Sequence, residues 1–67
     1  MKAAERFFGN KKYVFRKKLH VKSLGKDYNF AWIKEIDGKE IKVISPYKGS
    51  CNGYIIRPNW CEEIYNE

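Results

Sequence analysis

Apolar and polar side chains alternate most clearly between Tyr13 and Lys22. Tyr13, Phe15, Lys17, Leu19 and Val21 fall on one parity, mostly apolar, and Val14, Arg16, Lys18, His20 and Lys22 on the other, mostly cationic. Successive strand side chains point to opposite faces, so this register predicts a half-buried strand with a basic outer surface. Behind the turn signal Asp37-Gly38, Lys39 to Ile44 alternates again, with Ile41 and Val43 set against Glu40 and Lys42. Tyr54 to Arg57 reads as a third strand, Tyr54 and Ile56 opposite Ile55 and Arg57, stopped by Pro58. Ser45 to Gly53, with Pro46, Gly49, Ser50, Asn52 and Gly53, is expected as a turn-rich connection joining two strands into an antiparallel hairpin. Gly53 is expected at the positive φ of a turn or bulge.

The remaining segments are shorter. Met1 to Phe8 suits a helical turn or two, stopped by Gly9-Asn10, with Phe7 and Phe8 closing one end of a core; a frayed terminus is the competing reading. Ser23 to Asn29 reads as a loop. Tyr28, Trp32 and Ile36 recur at helical spacing, while the same stretch also suits an extended loop; an irregular or one-turn helical segment with Trp32 in the core is preferred. Asn59 looks like a cap opening a single turn, with Trp60 and Ile64 facing inward and Glu62 and Glu63 outward. Tyr65 to Glu67 reads as a last short strand or a frayed end.

Length and composition make the core small and aromatic. A chain of 67 residues is a single domain, residues 1–67, and buries only about 60% of the surface its unfolded form exposes. Five Tyr, four Phe and two Trp supply the buried area. Three or four short strands cannot cover both faces of an open sheet, so a mainly β, partly open antiparallel barrel with short N-terminal and C-terminal helical turns is expected. Cys51 and Cys61 lack the CxxC spacing, and with one His they fall short of the four ligands of a structural zinc site. A disulfide stays open from their positions near strand ends. No apolar leader and no run of ~18 apolar residues occurs, which implies a soluble, cytoplasmic protein with reduced cysteines.

Three short stretches carry a resemblance: Val21-Lys22-Ser23-Leu24; Trp32 with Glu35-Ile36-Asp37-Gly38-Lys39 to Val43; and Gly53-Tyr54-Ile55-Ile56 with Trp60 and Glu62-Glu63-Ile64. Together they resemble small SH3-like barrel proteins of bacteria and their phages, over roughly residues 18–64. The resemblance implies an SH3-like barrel. Those proteins are mostly uncharacterised, so it carries over no catalytic or binding residue. The spacer between Leu24 and Trp32 is short for the group, and the basic stretch from Lys11 to Lys22 is particular to this chain.

Charge then points to a site. The net charge is +6, and residues 1–27 hold nine Lys and Arg against two acids, whereas residues 28–67 hold five against six. Such an asymmetric footprint attracts phosphate-rich polymers or an acidic protein surface, and also serves solubility. Arg16, Lys18, His20 and Lys22, extended by Lys11, Lys12 and Lys17, are expected as a ladder of cations ~6.6–6.8 Å apart along one strand face, able to track a nucleic-acid backbone, DNA or RNA, without reading bases. Tyr13 is placed with them, and Tyr28, Phe30, Tyr47 and Tyr54 are further candidates for stacking on unpaired bases. His20 is expected as a polar surface residue. A single His in a basic strand argues against nucleophilic catalysis, and the acids show no metal-loop spacing, so no enzyme activity, cofactor or metal is expected. The expected protein is a monomer or weak homo-oligomer that binds nucleic acid with little sequence specificity. The alternative is a small phage-type or accessory protein that binds and modulates, or inhibits, a host or partner protein.

Overall fold

Tyr13, Val14 and Phe15 are all buried, which a strand with one solvent face does not allow. In the computed structural model, which describes residues 2–64, the cause is a strand held on both sides. Strand β1, Lys12–Phe15, pairs antiparallel with β5, Cys61–Ile64, running from Lys12 opposite Ile64 to Phe15 opposite Cys61. On its other edge, Ile41 N–H donates to the Tyr13 carbonyl and Phe15 N–H to the Lys39 carbonyl, each at 3.0 Å, around a Val14–Glu40 bridge.

The expected basic strand does not continue to Lys22. The chain turns at Arg16 and winds into helix α1, Lys17–Leu24. Its sequence holds a single β-branched residue, Val21, among good helix formers. The first turn is anchored when Lys17 N–H donates to the Asp37 carboxylate at 2.9 Å. The last turn closes on Gly25, which takes the left-handed conformation at φ 70 and donates its N–H to the Val21 carbonyl. Neighbouring residues Leu19 and His20 both face inward, an arrangement a helix permits and one face of a strand does not.

Helix α2, Ala31–Ile36, buries Ile33 and Ile36, so the helical alternative holds for this stretch. Strands β2 (Lys42–Ser45), β3 (Lys48–Cys51) and β4 (Tyr54–Ile56) form an antiparallel sheet in the order β2-β3-β4. Ser45 to Gly53 is therefore not a plain connection: it contains β3. The turn into β4 is Asn52-Gly53, with φ 52 and 82, the two positive values that match the twist of a tight hairpin. The third strand ends at Ile56, one residue before the expected Arg57. A 3₁₀ turn, Pro58–Trp60, follows, and the expected helical turn over Glu62 and Glu63 is instead strand β5.

Residues 2–8 form no helix. The arm lies extended, Ala4 N–H donating to the Cys61 carbonyl at 2.9 Å and Phe7 N–H to the Pro46 carbonyl at 2.7 Å. Phe7 closes one end of the core as expected, packing edge-on to Tyr13 at 4.9 Å, whereas Phe8 stays exposed. Burying a ring of this size contributes on the order of 1.5–3 kcal/mol. The core joins Phe7, Tyr13, Phe15, Ile33, Ile36, Ile41, Ile56 and both cysteines, with Trp32 and Trp60 packed against it. The chain is thus mainly antiparallel β with two short helices, in two sheets rather than one closed cylinder. Among the described residues no helix is long and apolar enough to cross a membrane. The expectations for Met1 and for Tyr65 to Glu67 lie outside the described residues.

Candidate nucleic-acid interface

The turn from β1 into α1 redistributes the seven site residues. Tyr13 is 1% exposed, and its hydroxyl accepts the Phe8 N–H at 3.0 Å, so it is a core residue and offers no ring to a base. His20, expected on the surface, is 3% exposed. It sits among Trp60, Trp32 and Phe15, with ring centroids at 4.6, 5.6 and 5.8 Å. Its Nδ1 and the Trp60 Nε1 are both buried without a hydrogen-bond partner among the described residues. Burial lowers the His20 pKa below its ordinary 6.5, only partly opposed by the Asp27 carboxylate, so the ring is neutral where the ladder needed a cation.

Two of the cations lie against β5. Arg16 Nε donates to Glu62 Oε1 at 2.7 Å, and Lys11 Nζ lies 3.0 Å from Glu63 Oε1. Val14, on the same parity as Arg16, is flanked by Glu40 and Glu62 on the neighbouring strands. The outer side of β1 is therefore locally neutralised rather than a basic strip. Such half-exposed pairs contribute roughly 0–1 kcal/mol each; their consequence here is for charge more than for stability.

Lys12, Lys18 and Lys22 are different: all three are exposed, and no ion pair joins them to an acid among the described residues. Lys18 and Lys22 are four apart on α1, so they share one outward face with Cβ atoms about 5–6 Å apart. The helix is held against the 3₁₀ turn by Asn59 Nδ2, which donates to Ser23 Oγ at 2.7 Å. Lys17 is paired with Asp27 at 3.6 Å, which fixes the loop after α1 to the start of the helix.

That loop carries a feature the charge count did not reveal. Tyr28 and Phe30 stack with centroids 5.5 Å apart and planes 3° from parallel, both nearly half exposed. Lys26 Nζ lies 5.3 Å from the Tyr28 ring. Trp32 and Tyr54 form a second stacked pair at 5.1 Å. On the sheet β2-β3-β4, Ile44 and Ile55 are 57% and 56% exposed, and Lys42, Ser50 and Ile55 lie in register across the three strands.

Neither cysteine is bonded and both are buried; burial and the neighbouring Cys51 push the Cys61 thiol up to about 12, so it stays protonated and unreactive near neutrality. Among the described residues no group of three or more His, Cys, Asp or Glu converges as metal ligands do. Comparison with protein-family models, with curated proteins and with solved structures returned no match for this chain.

Proposed function

We propose that this protein is a non-enzymatic binding module that holds nucleic acid, DNA or RNA, through its phosphates and with little sequence specificity. The observation that carries this reading is the outward face of α1, where Lys18 and Lys22 stand exposed and, among the described residues, in no ion pair, in a chain of net charge +6. Lys12, at the start of β1, is a further exposed cation. Lysine contacts to phosphate supply affinity without reading bases. Two further cations of the expected ladder, Arg16 and Lys11, are engaged by Glu62 and Glu63 and are not counted among the phosphate contacts.

The order of pairing supports an SH3-like, partly open barrel as the scaffold. β1 lies between β5 and residues 39–41, which lead into β2, and a 3₁₀ turn precedes β5. The buried free thiols suit a reducing compartment such as the cytoplasm. A second reading, a small accessory protein that binds and inhibits a partner protein, is favoured by one observation: the exposed Ile44 and Ile55 beside Lys42 on the outer sheet face.

Fluorescence anisotropy of labelled oligonucleotides at several salt concentrations tests the proposal. Log affinity should fall against log salt with a slope of roughly −2 to −4, as three or four phosphate contacts require. Lys18→Glu/Lys22→Glu should weaken binding and reduce that slope by about two. No saturable binding at low salt, or binding unaffected by the double variant, overturns it.

A further inference from the structure

We infer that the Tyr28–Phe30 pair is a stacking platform that makes the nucleic-acid site selective for single strands, a step that rests on the proposed nucleic-acid reading. The two rings are 45% and 47% exposed, although a chain this short has few large side chains to leave outside its core. They are parallel to within 3°, so a base added to the outer face of Phe30 continues a stack that already exists. Duplex bases are stacked on one another and cannot reach such a face; unpaired bases can.

The surroundings of the pair are cationic. Lys26 lies against Tyr28, and Lys34 follows Phe30 by four residues, one helical turn into α2. Each acid close in sequence is already engaged: Asp27 accepts the Asn29 N–H at 2.9 Å and pairs with Lys17, and Glu35 accepts from Asn52 Nδ2 at 3.4 Å. A platform flanked by Lys26 and Lys34, with the neighbouring Asp27 paired to Lys17, complements a phosphate backbone whose bases are exposed, and that complementarity favours a single strand over a peptide or a second copy of the chain.

The backbone holds the platform in place. Asn29, between the two rings, sits at φ 54 and donates its N–H to the Asp27 carboxylate, which pins the backbone between Tyr28 and Phe30. Phe30 is also the residue from which α2 starts, its carbonyl accepting the Ile33 N–H at 3.2 Å. Rings fixed before binding lose little freedom when a base is added.

The test compares a labelled oligothymidylate of ~15 nucleotides, within the span such sites cover, with a duplex of equal length. Measurements on wild type, Phe30→Leu, Tyr28→Ala/Phe30→Ala and Lys18→Glu/Lys22→Glu at one salt concentration are required. Phe30→Leu keeps an apolar side chain at the start of α2, so loss through misfolding is separable by circular dichroism. Wild type should favour the single strand about tenfold or more; removing the rings should weaken single-strand binding about tenfold and leave duplex binding unchanged. The lysine variant should weaken both. Equal affinity for the two forms, or ring variants that change neither, overturns the inference while leaving the nucleic-acid reading intact. Failure of wild type to bind either form overturns both. A dimer that Phe30→Leu abolishes, without any oligonucleotide response, would also overturn the inference and make the platform a contact between copies.

Discussion

At the scale of single residues, His20 decides most. Its place among Phe15, Trp32 and Trp60 removes a charge from the surface and puts an imidazole with an unpartnered Nδ1 into the core. An unmade hydrogen bond on a buried polar atom costs about 1–3 kcal/mol, so the site is held by the packing around it. The folded-state pKa of His20 lies below 6.5, while the unfolded chain takes up its proton near 6.5. Below that pH the unfolded state binds more protons, so stability is complete above 6.5 and falls as the pH drops toward the lowered folded value. Among the described residues the charge that opposes this shift is Asp27; the three packed rings carry none. Urea unfolding between pH 8 and pH 5 should show the wild type losing stability relative to His20→Phe, whose profile lacks this contribution. Parallel profiles for the two proteins would refute the assignment. The aromatic seat was not legible in the sequence, because His20 shares a parity with Lys18 and Lys22 and reads as outward until the segment is known to be a helix.

At the scale of elements, the errors have identifiable physical causes. Of the stretch from Tyr13 to Lys22 only Tyr13 to Phe15 is strand, buried on both faces, and beyond it the alternation is accidental: Lys-Lys-Leu-His-Val-Lys-Ser-Leu is also compatible with a helix, and Gly25 stands where a helix ends. The carboxylate that anchors the first turn, Asp37, is 20 residues away, and such long-range partners are invisible to local periodicity. Strand β3 was hidden because Lys-Gly-Ser-Cys has almost no β propensity. Its Asn52-Gly53 turn is the signal that could have revealed it. Gly49 occupies a place in that strand where a side chain does not fit. A Cβ there would collide with Ile41 Cδ1 and approach the Lys42 carbonyl oxygen at 3.1 Å and Phe7 at 3.2 Å. Gly49→Ala should therefore destabilise the protein by about 1–3 kcal/mol, read as a lower urea midpoint. An unchanged midpoint would mean that the N-terminal arm and β2 do not clasp β3 as described. By contrast, β2, β4, the turn at Pro58 and the inward places of Phe7, Ile41 and Ile56 were all legible, since each rests on a local pattern or a hard stop.

At the scale of the whole molecule, what survives is the charge, and what changes is where it acts. The excess over residues 1–27 remains, yet the fold sends Arg16 and Lys11 toward Glu62 and Glu63, and leaves Lys18 and Lys22 to face solvent from α1. The loop carrying Lys26, Tyr28 and Phe30 is fastened to the start of the same helix through Lys17 and Asp27. The molecule thus offers two unlike surfaces. One combines lysines with stacked rings; the other, on β2-β3-β4, combines Ile44 and Ile55 with Lys42. The first suits a phosphate backbone with unpaired bases and the second an apolar protein partner. Amide chemical-shift mapping by NMR during titration with oligothymidylate separates them in one experiment. The account predicts saturable shifts concentrated at Lys18, Lys22, Lys26, Tyr28 and Phe30, with Lys42, Ile44 and Ile55 unmoved. Shifts centred on β2 and β4 instead, or none at any oligonucleotide concentration at low salt, would contradict it.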